Sequence, residues 1–105
     1  MPMPERSEVW LADPGLVAKT RPVLILSVPF SESNYALITI VPHTTSMRSS
    51  AFKVELSVQG LKPGIFNIQG LTAVSSSVFI RRLGKLQPRQ MELIEISVKK
   101  WLGFQ

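Results

Sequence analysis

The sequence predicts a mainly β fold, a small and strongly bent antiparallel sheet that forms a partial barrel and is closed by one C-terminal helix. Two observations support this. Short apolar or alternating runs, separated by turns rich in Gly, Pro and Ser, fill residues 8–86, and such spacing is typical of all-β domains. From Pro88 to Leu102 the apolar residues recur at helical spacing instead. Since the chain has 105 residues, we expect one domain over 1–105, with 1–7 as a flexible N-terminal extension.

A buried strand at 23–26 organises the predicted sheet. Its residues are all aliphatic (Val-Leu-Ile-Leu), so both faces of the strand should be covered. Pro22 suits the first position of a strand, where its missing N–H removes no ladder hydrogen bond. Because a residue before proline is held extended, we expect Arg21 at the mouth of this strand, anchored on rigid backbone.

The other strands are predicted from β-branched or alternating runs that end at turn residues. Asp13, Pro14 and Gly15 end the first of them, and Pro42 is expected to end the third. Gly70 is expected to interrupt the later strands, as a bulge would. These strands are predicted at 8–13, 35–41, 52–56, 65–68, 71–74 and 79–86.

The predicted helix, Pro88–Leu102, carries signals at both ends. Pro88 suits the first helical position, Lys99 and Lys100 suit the negative end of the helix dipole, and Gly103 suits the stop. Gln87 is a weak N-cap, since Ser would be better. The apolar stripe that should face the sheet comprises Met91, Ile94, Val98, Trp101 and Leu102.

Composition narrows the function classes. The formal net charge of +5 favours an anionic partner such as a nucleic acid or an acidic polypeptide. The lack of cysteine excludes a disulfide framework, a zinc–thiolate site and a cysteine nucleophile. With one histidine and few, scattered carboxylates, no metal site is expected. No apolar run approaches the ~18 residues of a membrane span, and the N-terminus lacks the apolar region of a signal peptide, so we expect a cytoplasmic protein.

Several short motifs follow one another along the chain. They are residues 8–11 (Glu-Val-Trp-Leu), 21–25 (Arg-Pro-Val-Leu-Ile), 41–45 (Val-Pro-His-Thr-Thr), 52–54 (Phe-Lys-Val), 83–86 (Leu-Gly-Lys-Leu) and 101–103 (Trp-Leu-Gly). Each motif alone is weakly specific. In this order and spacing they resemble the MazF/PemK family of toxins from bacterial type II toxin–antitoxin modules, over nearly the whole chain.

The resemblance implies an SH3-like barrel with a C-terminal helix, in agreement with the pattern, and it implies an enzyme. Members of this family are sequence-selective endoribonucleases (mRNA interferases) that cut single-stranded RNA without a metal or other cofactor. The 2′-hydroxyl attacks the adjacent phosphate, which leaves a 2′,3′-cyclic phosphate and a 5′-hydroxyl. Arg21 matches the family's catalytic arginine, whose planar fork can grip phosphate oxygens, and Thr44 matches its catalytic threonine.

Further residues are expected to bind RNA around these two catalytic positions. Lys19 and Arg48 lie in predicted loops and would hold flanking phosphates, while Gln69 would read a base edge or orient backbone. Arg81 and Arg82 are neighbours on a strand, so at most one of them can face the groove. The predicted substrate-binding residues are Lys19, Thr20, Thr45, Ser46, Arg48 and Gln69.

The sequence does not single out one residue as the general base that takes the proton of the 2′-hydroxyl. His43 titrates near neutral pH in its unperturbed form, but as the neighbour of Thr44 on a strand it should face away from the groove, unless a bulge at Pro42 turns it. Many family members carry a carboxylate in the loop before the Arg-Pro pair, whereas residues 14–20 contain none. Many also have an acid beside the position of Gln69, and this chain lacks it.

Partners are implied by the resemblance and agree with the charge. Family members are homodimers, and a cognate antitoxin neutralises them by laying a flexible acidic C-terminal segment over the RNA groove. Two alternatives remain. The missing loop carboxylate favours a toxin-fold module without catalysis that binds RNA or a protein, and a CcdB-like gyrase inhibitor shares the architecture. Because a gyrase inhibitor does not need Arg21 and Thr44, their presence speaks against it.

Overall fold

A computed structural model describes residues 3–13, 19–45 and 51–104. The strands in these ranges are β1 (Glu8–Ala12), β2 (Arg21–Ile25), β3 (Leu37–Thr44), β4 (Lys53–Glu55), β5 (Ile65–Asn67), β6 (Thr72–Ser75) and β7 (Phe79–Lys85). The C-terminal helix α1 spans Pro88–Leu102, and short 3-10 helices lie at Ile68–Gly70 and Ser76–Val78.

The strand pairs are antiparallel, and β3 is the strand on which the sheet bends. The strands run in the order β4-β5-β3-β2-β1-β7, and β6 also pairs with β3. Residues 37–42 of β3 pair with β6 and β2, whereas His43 and Thr44 at its end pair with β5. Because one strand takes part in both groups of strands, the sheet curls into an open, partial barrel. This confirms the predicted fold class.

Alternation along the central strands produces an apolar cluster on each face of the sheet. Leu24 and Val41 face α1, where they pack in one cluster with Met91 and Ile94. The second cluster, on the opposite face, consists of Trp10, Ala12, Val23, Ile25, Ile38 and Ile40. Since both faces of β2 are covered by apolar side chains, the prediction of a doubly buried central strand is confirmed.

Both ends of α1 lie where the sequence predicted them. Pro88 occupies the first turn, and Gly103 ends the helix in the left-handed region at φ 78°, where glycine has no Cβ to clash. Gln87 is a better start than expected, because its backbone N–H donates to Oε1 of Gln90 at 2.8 Å. Nε2 of Gln90 in turn donates to the carbonyl of Ser57 at 2.8 Å, which ties the first turn to the chain after β4.

Two predictions about strand ends are wrong. β3 does not end at Pro42 but continues to Thr44. Pro42 lies where β3 exchanges β2 for β5, so its missing N–H falls at a change of partner and not within a continuous ladder. The interruption near Gly70 is the 3-10 helix Ile68–Gly70 and not a bulge, and a Cβ on Gly70 would lie 2.7 Å from Cγ of Pro42. The turn therefore packs directly on this proline.

Residues before β1 contact both the sheet and the helix. The N–H of Ser7 donates to the carbonyl of Ile25 at 2.9 Å, and Nε of Arg6 donates to the carbonyl of Leu26 at 3.0 Å. The guanidinium of Arg6 also pairs with Glu95 of α1. The flexibility expected of residues 1–7 stays a prediction. Within the described part of the chain, α1 is too short and too polar to cross a membrane.

Candidate active site

A cationic groove lies where the ends of β1, β2 and β3 meet β7 and the turn before β5. Its volume is about 420 Å³. The predicted site residues that line it are Lys19, Thr20, Arg21, Thr44 and Thr45. The rest of the described wall is formed by Leu11, Pro22, His43, Gly60, Leu61, Lys62, Arg81 and Leu83.

Strand pairing brings the two candidate catalytic residues to the same place. In the antiparallel pair of β2 and β3, Val23 lies opposite Pro42. Arg21 and Thr44 each lie two residues beyond this pair, so the alternation of a strand points them to the same face as Val23 and Pro42. Both residues line the groove. Two positions 23 residues apart in sequence thus come to one face of the sheet, although β3 leaves β2 for β5 beyond Pro42.

The local sequence holds Arg21 in a conformation suited to binding an anion. Arg21 is the exposed first residue of β2, and Pro22 keeps its backbone extended. The residue opposite it on β1 is Ala12, which is small and 2% exposed. The planar fork of an arginine can bind two oxygens of a phosphate at once, which lowers the side-chain entropy lost per hydrogen bond. Thr44, half-buried at the end of β3, carries a hydroxyl that can hydrogen-bond the same phosphate.

The charged side chains of the described groove wall are all positive. Lys19, Arg21, Lys62 and Arg81 line it, and no Asp or Glu of the described ranges does. Arg82 lies elsewhere, because its Nε is 3.4 Å from Oε2 of Glu8. The prediction that at most one of the two neighbouring arginines faces the groove is therefore confirmed. Such a wall attracts a polyanion and repels a cation.

His43 borders the groove but is turned toward the core. It is 3% exposed, and its ring lies edge-on to Phe66, with centroids 4.9 Å apart. Among the described residues, its buried Nε2 has no hydrogen-bond partner. Burial lowers the pKa of His43 below its ordinary value of 6.5, so the imidazole is neutral at pH 7. The register of β2 with β3 shows no shift up to Pro42. Because His43 also forms part of the groove wall, the expectation that it faces away from the groove stays a prediction.

The remaining predicted site residues are not part of this wall. Gln69 is exposed in the 3-10 helix beside Gly70, and the groove lining does not include it. Ser46 and Arg48 lie outside the described residues. Lys62 was not predicted as a site residue, although a lysine at the tip of a turn that contains Gly60, Pro63 and Gly64 is a recognisable signal for a loop that presents a charge.

No group of three or more His, Cys, Asp or Glu side chains that could hold a metal ion occurs in the described ranges. Arg21, Thr44 and the surrounding lysines and arginine can bind a phosphate and stabilise negative charge that develops on it. Hydroxyls at Thr20 and Thr45 can donate further hydrogen bonds to phosphate or sugar oxygens.

The chain is similar in sequence to a family of toxins and to a probable endoribonuclease. Residues 5–102 match the model of the PemK-like, MazF-like toxin of type II toxin-antitoxin system. The probable endoribonuclease MazF5 of Mycobacterium tuberculosis (strain ATCC 25618 / H37Rv) is 30% identical over 96 residues, which are 88% of this chain and 86% of that protein.

Solved structures show the same fold. An endoribonuclease in complex with its cognate antitoxin, from Mycobacterial species, has a TM-score of 0.83 and 24% identity, and the match covers 97% of each chain. MazF (Form-I) from Deinococcus radiodurans also has a TM-score of 0.83, with 18% identity over 99% of this chain and 100% of that chain.

Proposed function

The chain belongs to the family of PemK-like, MazF-like toxins of type II toxin–antitoxin systems, and we propose that it is a sequence-selective endoribonuclease that cleaves single-stranded RNA without a metal ion. In the proposed reaction, the 2′-oxygen of a ribose attacks the phosphorus of its own 3′-phosphate. The bond from phosphorus to the 5′-oxygen breaks. The 2′-hydroxyl loses its proton, the leaving 5′-oxygen gains one, and the ends are a 2′,3′-cyclic phosphate and a 5′-hydroxyl.

The observation that carries this proposal is that Arg21 and Thr44 line one groove together with further cations. The phosphorane formed during the attack carries one more negative charge than the phosphodiester. Arg21 is positioned to stabilise this charge with two parallel hydrogen bonds. Thr44 donates its hydroxyl to a phosphate oxygen or aligns the 2′-oxygen for attack. Since no carboxylate lines the described wall, charge stabilisation is the contribution of these residues, and no acidic side chain there serves as the base.

Partners follow from the same electrostatics. We propose that a cognate antitoxin covers the groove with an acidic segment, because the polypeptide would then meet the cations that bind RNA. Solved relatives support this, since an endoribonuclease from Mycobacterial species was solved in complex with its cognate antitoxin and MazF of Deinococcus radiodurans with MazE. The proposal includes a homodimer and a cytoplasmic location, where RNA and antitoxin are both present.

Cleavage of purified RNA tests the proposal. The protein, free of antitoxin, is incubated with a long single-stranded RNA in EDTA, and the ends are mapped by sequencing. We expect discrete cuts with cyclic-phosphate ends. Arg21→Ala and Thr44→Ala should each lower the rate about 100-fold or more, the scale seen when one charge-stabilising donor is removed. Lys85→Ala is the matched control, because Lys85 is an exposed cation that does not line the groove.

One observation favours a second function. The described groove wall lacks a carboxylate, which agrees with a module that binds RNA or a protein without cutting RNA. Intact RNA after incubation with folded wild-type protein, together with measurable RNA binding, would make that function the better one. Cleavage that persists in Arg21→Ala would instead mean that the catalytic site lies elsewhere.

A further inference from the structure

Two cations of the groove, Arg81 and Lys62, have no role in the proposed reaction. Arg81 lies on β7, opposite Leu11 of β1. Lys62 lies in the turn between β4 and β5. Both are exposed, and both line the groove together with residues of β2 and β3. Among the described acidic residues, none forms a salt bridge with either of them.

The backbone holds the turn of Lys62 firmly against the strand of Arg81. Gly60, at φ 88°, packs so closely that a Cβ there would lie 3.1 Å from the carbonyl oxygen of Leu83. On the strand side, a Cβ on Gly84 would lie 3.0 Å from the carbonyl oxygen of Gln59. Two glycines thus allow the turn and β7 to approach at backbone distance. The turn is anchored below by Val58, which is buried in the core cluster under α1.

This packing joins the backbones that carry the two side chains, so both cations project from one part of the groove wall. Lys62 is two residues beyond Gly60, and Arg81 is two residues before Leu83, so the tight contact lies beside both. Two exposed like charges on one wall repel each other weakly through water, and an anion bound between them removes this repulsion. The neighbouring Arg82 shows the contrast, since its charge is compensated by Glu8 at 3.4 Å.

We propose that Arg81 and Lys62 form a second phosphate-binding site, which holds a backbone phosphate of RNA next to the scissile one. The inference rests on the proposed function, because it assumes that the scissile phosphate lies at Arg21 and Thr44. It also gives the path of the bound strand, which would cross the groove from the ends of β2 and β3 toward β7. Contacts of this kind position RNA and give affinity without reading its sequence.

Salt-dependent binding tests the inference. The probe is a single-stranded oligonucleotide with 2′-O-methyl groups, which cannot be cleaved because the nucleophile is blocked. Its Kd is measured by fluorescence anisotropy at several salt concentrations for wild type, Arg81→Gln, Lys62→Gln and the double variant. For single strands the slope of log K against log salt changes by about 0.7 for each phosphate that the protein no longer neutralises. We therefore expect each single variant to reduce the magnitude of the slope by about 0.7 and to weaken binding at low salt. The double variant should reduce the magnitude of the slope further.

Arg82→Gln is the matched control, since it removes the same charge one residue away on a side chain that is paired with Glu8. It should leave the slope within error of wild type. Equal slopes for wild type and Arg81→Gln, or an equal decrease in Arg82→Gln, would overturn the inference. Arg81→Glu, which reverses the charge, is a second test and should weaken binding of the probe more than Arg81→Gln does.

Cleavage by wild type separates the inference from the function on which it rests. If the protein cuts RNA and loses activity in Arg21→Ala, but the slope is unchanged in Arg81→Gln and Lys62→Gln, the second phosphate site is refuted and the function stands. If wild type neither binds the probe nor cuts RNA, both are refuted.

Discussion

Substitution of Gly64 by alanine should move the end of β3 and with it Thr44. Gly64 precedes β5 and is buried. A Cβ at this position would lie 2.4 Å from the carbonyl oxygen of Thr44, 2.6 Å from Cε1 of His43 and 2.8 Å from its Nε2. The first of these atoms belongs to the backbone and cannot rotate away. Even a close contact between carbon and carbonyl oxygen is about 3.3 Å, so the two segments must separate by roughly 1 Å.

The size of the effect follows from this displacement. Overpacking of a dense interior costs about 1–3 kcal/mol, and each kcal/mol lowers the Tm of a domain of this size by about 4–8 °C. A displacement of about 1 Å at a catalytic group can lower the rate roughly 100-fold. We therefore expect Gly64→Ala to be less stable in urea and thermal unfolding, and to cut RNA far more slowly at a temperature at which the protein is still folded.

Gly103→Ala is the control that separates stability from site geometry. Gly103 has φ 78°, and no neighbouring atom lies within 4 Å of the position that a Cβ would occupy there. Alanine at this position is therefore strained by about 1–2 kcal/mol but displaces no neighbour. It should lower the Tm and leave the cleavage rate of the folded protein unchanged. A Gly64→Ala variant with wild-type stability and activity would refute the packing argument, and equal loss of activity in both variants would refute the link to Thr44.

Three further substitutions test other parts of the structure. Folded His43 has a lowered pKa, so the unfolded chain binds the proton more readily and wild type should lose stability as pH falls below 6.5. In His43→Phe, urea unfolding from pH 7.5 to 5 should show less of this loss, and an identical pH dependence in both proteins would contradict the assignment. Glu8→Ala should lower the free energy of unfolding by about 1–3 kcal/mol, because Nε1 of Trp10 donates to Oε1 of Glu8 at 2.9 Å in the interior. Unchanged stability in thermal unfolding would argue against that bond. Leu24 lies in the core with 0% exposure, so Leu24→Ala should lower the free energy of unfolding in urea by about 2–5 kcal/mol. A smaller decrease would mean that the core collapses around the gap.

Local signals in the sequence predicted the helix and the central strand well. α1 spans the predicted residues because proline at its start and glycine after its end act within one turn of the chain. β2 was predicted because an uninterrupted aliphatic run has few alternatives to burial on both faces. Arg21 could be placed at the mouth of that strand for the same reason, since Pro22 restricts its backbone directly.

Errors arose where distant parts of the chain meet. Pro42 was expected to end a strand, yet β3 continues to Thr44 because β5 is available to pair with its last residues. Lys62 was not identified and Arg81 could not be distinguished from Arg82, because their placement depends on the register of β7 with β1 and on a contact between two glycines. Neither is visible in a single segment of sequence.

The sequence by itself determined the fold class, the helix bounds, the positive charge and, through its motifs, the family to which the chain belongs. Each of these depends on local composition or on the order of short segments. The tertiary structure decided which side chains share the groove. Strand pairing brings Arg21 and Thr44 to one groove, buries His43 against Phe66 and brings Arg81 near the turn of Lys62. These neighbours are set by pairing energies summed over whole strands and not by any one residue.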